Sequence, residues 1–86
     1  MDTVPPGRPT PTIEDYLGAI YTLDRDGEAV IGRKLADWLE VSAPTVTATL
    51  QRMVRDAWVV MDDDKSIHLT EQGRKAAISV LRRHML

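Results

Sequence analysis

Between Val30 and Asp56 the chain reads VIGRKLADWLEVSAPTVTATLQRMVRD, two segments of helical period separated by only a few residues. At a step of about 100° per residue, Leu35, Ala36 and Leu39 share one side of the first segment, and Val46, Leu50 and Met53 one side of the second. Ser42 stands where the second segment needs an N-cap, and its hydroxyl is suited to accept an amide of the following turn. So short a connection makes the two helices neighbours, and Ala36 is small enough to let them cross closely. The pattern is that of a helix-turn-helix.

On the second of these helices Pro44, Ala48, Gln51 and Arg55 collect opposite the apolar side, with Thr45, Thr47 and Arg52 at the edges. Short side chains near its start allow approach to base edges in a major groove, while Gln51, Arg52 and Arg55 reach bases or phosphate oxygens. This is the candidate DNA-reading face. The competing interpretation is an ordinary solvated helix surface.

With 86 residues, 43% of them hydrophobic, the chain can bury one modest core and form one domain. The absence of Cys excludes disulfide frameworks and thiolate metal sites. No apolar run approaches the roughly 20 residues of a membrane span, and the opening MDTVPPGRPTP lacks a signal-peptide core. A soluble, cytoplasmic protein without membrane partners is expected. The net charge of −2 weighs against a polybasic nucleic-acid binder, but the charge is polarised: −4 over 1–28, +1 over 29–60, −3 over 61–64 and +4 over 65–86. Affinity for DNA would then rest on few phosphate contacts and depend less steeply on salt. No nucleophile, base and orienting group occur at supportive spacing, so an enzyme is not expected.

Residues 1–11, with Pro5, Pro6, Pro9 and Pro11, are expected to form a non-helical arm, and residues 12–86 the domain. Thr12 followed by Asp15 resembles a capping box, and Ile13, Tyr16, Leu17, Ile20 and Leu23 place a first helix that ends near Leu23. The second helix covers about Gly32 to Leu39. After Asp56 the period changes: Ala57 to Met61 is apolar, Asp62 to Lys65 is a charged turn, and Ser66 to Leu69 alternates, which predicts a two-stranded wing. Thr70 caps a last helix with Ala76, Ala77, Val80, Leu81 and His84 along one side. That helix stops in mid-pattern, which suggests a following dimerisation domain outside this chain. The expected fold class is mainly α with a small β-hairpin, a winged helix-turn-helix. Trp38 and Trp58 are expected to fill the core edge and the wing base, His68 to be structural or solvent-facing, and Asp62 to Asp64 to be a solvated turn directed away from DNA.

Over about Thr10 to Leu86 the chain resembles the N-terminal domain of the diphtheria toxin repressor and manganese transport regulator family. The resemblance is carried by TIEDYLGAIYTL, KLADWLEVSAPTVTATLQRMVRD, LTEQGRKA after the wing, and LRRHML. It implies a homodimeric, metal-dependent transcriptional repressor that binds palindromic double-stranded operators when loaded with Mn(II) or Fe(II). Ser42, Pro44, Thr45, Thr47, Arg52 and Arg55 match DNA-contacting positions of the family, and Lys65 sits in the wing. Ala48 replaces a base-contacting Gln of some members and is suited instead to a thymine methyl. Asp15 and His84 match metal-ligand positions, a carboxylate oxygen and an imidazole nitrogen that suit either metal. Asp15 favours the manganese type, while Gly18 lacks the acidic group which that type carries there; the remaining ligands would lie beyond Leu86. Ala57 stands where the family usually ends the reading helix with Gly, so a strained or differently ended helix is expected. A metal-independent winged helix, used for constitutive DNA binding or protein interaction, is the alternative.

Overall fold

The computed structural model describes residues 9–84, with side chains as far as Arg83. The expected arm therefore lies outside the described residues over 1–8. Four helices and one hairpin follow in the order α1 (Pro11–Arg25), α2 (Gly32–Leu39), α3 (Ala43–Arg55), β1 (Val59–Met61), β2 (Ile67–Leu69) and α4 (Glu71–His84).

α1 begins earlier than the sequence suggests. Thr10, not Thr12, is the N-cap, its hydroxyl accepting the Ile13 amide at 3.3 Å, and Pro11 and Thr12 are already helical. Proline at the first helical position loses nothing, because its ring fixes a helical φ and that position needs no amide hydrogen. The helix continues two residues past Leu23 to Arg25. Its inner side supplies Ile13, Tyr16, Leu17, Ala19, Ile20 and Leu23, all buried.

α2 has the expected bounds, with Leu35 fully buried and Ala36 and Leu39 partly buried against the core. Trp38 departs from expectation: it is 52% exposed rather than filling the core edge. Leu35, Leu39 and Ala36 span an arc of about 100°, and Trp38 falls about 60° outside the Leu35 end of it. Once that arc faces inward the indole is left at the rim. The turn after α2 is closed by Glu40 in the left-handed region, φ 58, with the Glu40 and Val41 amides both on the Ala36 carbonyl.

β1 and β2 pair antiparallel with Val60 opposite His68 and Met61 opposite Ile67. Val59 and Ile67 face the core, and the Ile67 amide also bonds the Val30 carbonyl at 2.8 Å, tying the hairpin to the start of α2. Trp58 is buried at the wing base, as expected. Thr70 accepts the Gly73 amide at 3.0 Å and so caps α4. Gly73 is required by close approach: a Cβ there would stand 2.0 Å from the Trp58 carbonyl oxygen. α4 then lies along α1, with Ala77 and Val80 buried.

Candidate nucleic-acid interface

α3 owes its position to both ends. At the start, Ser42 accepts the Thr45 amide at 3.3 Å and its hydroxyl lies 2.8 Å from the Thr45 hydroxyl, with Pro44 among the first helical residues. At the end, Asp56 bonds the Arg52 carbonyl, and the Trp58 amide bonds the Met53 carbonyl at 2.8 Å. Ala57 carries the reversal between them with φ 65, a left-handed conformation for a residue with a Cβ. The helix ends where the sequence suggested, and the strain falls on Ala57.

Val46, Leu50 and Met53 are buried as expected, and Thr49, which the sequence reading did not single out, joins them at 4% exposure. Ser42, Pro44, Thr45, Thr47, Ala48, Gln51, Arg52 and Arg55 are all exposed. One solvent-facing side of α3 together with its N-cap therefore carries eight of the nine expected DNA-contacting residues. The ninth, Lys65, sits in the turn between β1 and β2 and shares a cleft with Thr47, Gln51, Val54 and Met61. The wing tip and the reading helix thus border one depression. Val54 and Met61, 44% exposed each, add an apolar lining that the sequence reading did not assign.

The cations on this face differ. Arg55 bonds Asp56 through Nε at 3.2 Å and through Nη2 at 3.5 Å, and that hydrogen bond and charge hold its guanidinium still more firmly protonated. A phosphate must share or displace that carboxylate. Arg52 makes no ion pair among the described residues.

The acidic turn of the wing is internally bonded. Asp64 accepts both the amide and the hydroxyl of Ser66, at 3.0 and 2.7 Å, which holds its carboxyl below the ordinary range. Asp62 faces His68, with Oδ2 and Nε2 2.7 Å apart. The exposed His68 is structural in that sense.

Asp15 is exposed on the first turns of α1. The side chain of His84 lies outside the described residues, but an ion pair between Glu14 and Arg83, 2.6 Å, brings the start of α1 against the end of α4. Asp15 and His84 therefore belong to neighbouring helix ends. Among the described residues no group of three or more His, Cys, Asp or Glu side chains is assembled to hold a metal. A Cβ at Gly18 would meet Leu81 at 3.8 Å, ordinary contact, so the position that lacks an acidic group faces α4.

The family model described as "Iron dependent repressor, N-terminal DNA binding domain" matches residues 9–67. The diphtheria toxin repressor of Corynebacterium glutamicum is 43% identical over 75 residues, 87% of this chain and 33% of the relative. The iron-dependent repressor IdeR of Mycobacterium tuberculosis is 41% identical over the same shares. Among solved structures, the manganese regulator SloR superposes with a TM-score of 0.77 at 33% identity, over 88% of this chain and 35% of its own. MepR, a transcription regulator of a Staphylococcus aureus multidrug efflux pump, gives 0.71 at 23% identity over 86% and 56%, a likeness of fold alone. This chain spans about a third of the length of the curated relatives it matches.

Proposed function

Because this chain belongs to the iron-dependent repressor family, matching its N-terminal DNA-binding domain, we propose that it binds double-stranded DNA as the reading domain of a metal-dependent transcriptional repressor in the cytoplasm. The observation that carries this reading is the exposed side of α3, on which small residues precede Gln51, Arg52 and Arg55. A helix of this kind enters a major groove with its first residues on base edges, and the wing then meets the adjoining backbone. Ser42, Pro44, Thr45, Thr47 and Ala48 are assigned to base edges and nearby phosphates, Gln51 to a base, and Arg52, Arg55 and Lys65 to phosphate oxygens. Repression needs recognition and not chemistry, so no enzymatic role is assigned.

A palindromic operator requires two copies of α3 at a fixed separation, hence a homodimer. Asp15 and His84 would hold Mn(II) or Fe(II), with further ligands from residues outside this chain. When bound, such a cation would link the start of α1 to the end of α4. The Glu14 to Arg83 pair already holds these ends together and so lowers the reorganisation needed. The alternative is constitutive DNA binding without metal, through the same exposed side of α3.

Selection from a random duplex pool, run with Mn(II), with Fe(II) and with a chelator, tests both. An inverted repeat enriched only with metal is expected. Equal enrichment under chelator would establish the constitutive reading, and enrichment of no sequence would overturn DNA recognition altogether.

A further inference from the structure

We infer that His68 and Asp62 are positioning residues of the wing, holding the turn that presents Lys65 beside α3 to DNA phosphates. The inference rests on the DNA-binding reading above. Each strand of the hairpin has three residues, too few for a two-stranded ribbon to hold its shape by pairing alone. Its turn nevertheless keeps Lys65 at φ 67, a conformation that persists for a residue with a side chain only where its surroundings enforce it.

The enforcement is polar. The Lys65 amide donates to the Asp62 carbonyl at 2.8 Å, and the Asp62 amide to the Ser66 carbonyl at 2.9 Å. Ser66 reaches back to Asp64, and His68 Nε2 closes the ring, 2.7 Å from Asp62 Oδ2 and 3.1 Å from Ser66 Oγ. A carboxylate only accepts, so Nε2 carries the hydrogen and donates to Asp62. That fixes the tautomer and the direction of the bond.

Among the described residues, Asp62 and Ser66 are the polar partners of His68. Across the ladder stands Val60; on either side Ile67 and Leu69 turn to the face on which α1 and α4 pack. The charges nearest in the turn are Asp62, Asp63, Asp64 and Lys65. Three carboxylates beside one ammonium repel a phosphate strand. The bond donated by His68 occupies one of those three carboxylates and holds it against the hairpin.

His68→Gln keeps an N–H for Asp62, whereas His68→Ala removes it. In the 86-residue chain, with chelator present, the Lys65 and Ser66 amide signals should hold their wild-type NMR positions in His68→Gln and move in His68→Ala. Binding to a mixed-sequence DNA duplex, read by fluorescence anisotropy at constant pH and ionic strength, should weaken about two- to five-fold in His68→Ala, the scale of one exposed charge pair, and be restored in His68→Gln. Lys65 signals that do not move in His68→Ala, or a His68→Gln variant that binds no better than His68→Ala, overturn the inference. If neither the wild type nor Lys65→Ala binds the duplex, it is the DNA-binding reading that fails, and the Lys65 amide still decides the positioning.

Discussion

Replacing Ala57 by glycine should stabilise this domain, although it removes a side chain. Ala57 has φ 65, and its methyl group is exposed, so the change removes left-handed strain without opening a cavity. A Cβ in that region costs about 1–2 kcal/mol. Glycine returns about 0.5–1 kcal/mol through the greater freedom of its unfolded chain. The net gain is about 0.5–1 kcal/mol, and a domain of this size shifts its midpoint about 4–8 °C per kcal/mol, so thermal unfolding followed by circular dichroism should rise by about 2–8 °C. Gly27 supplies the opposite experiment. It has φ 80 and nothing within 4 Å of an added Cβ, so Gly27→Ala should lose about 1 kcal/mol for conformational reasons alone. A lower midpoint for Ala57→Gly, or a higher one for Gly27→Ala, would refute the claim that φ at these turns limits stability.

Gly73→Ala drives a Cβ into the Trp58 carbonyl, 2.0 Å away, and should cost about 2–4 kcal/mol in urea denaturation; a cost below about 0.5 kcal/mol would mean that the two segments are not in contact. Arg52→Ala should lower the slope of log affinity against log salt by about 0.9, one phosphate contact, and Arg55→Ala by less, because Asp56 competes for that guanidinium; equal slopes would remove the distinction. Ser66 depresses the Asp64 carboxyl, so that stabilisation is present above the unfolded carboxylate value, about 3.9, and disappears as pH falls through the lower folded one. The urea-midpoint difference between wild type and Asp64→Asn should therefore be constant from pH 6 down to about 4 and shrink below it; a difference that grows with acid would reverse the assignment.

The helix pair around Ser42 could be read from residues because each of its signals is local. Apolar spacing placed Leu35 and Met53 inward, and one hydroxyl at the right offset placed the start of α3. α1 was misplaced at its start because two threonines, Thr10 and Thr12, compete for one cap, and the choice turns on Pro11 being acceptable at the first helical position. Trp38 was misjudged because periodicity names a face but not its width, and a helix of eight residues buries a narrow one. Three features depend on contacts between distant parts of the chain, and no spacing rule announces them: Gly73 beneath Trp58, the ring of Asp62, Ser66 and His68, and the joining of α1 to α4 by Glu14 and Arg83. The Arg55 to Asp56 bond was visible as adjacency, yet only side-chain geometry says that the two meet.

The Trp58 corner joins the end of α3 to the start of α4. The Thr70 hydroxyl donates to the Ala57 carbonyl at 2.6 Å, the Thr70 amide to the Trp58 carbonyl at 3.1 Å, and Gln72 to the Asp56 carbonyl at 3.3 Å, all within the seam where α3 ends and α4 begins. Together with the close approach of Gly73 to the Trp58 carbonyl, these bonds join the two helices at one corner, so the sequence around Thr70 fixes the direction in which α4 leaves the end of α3.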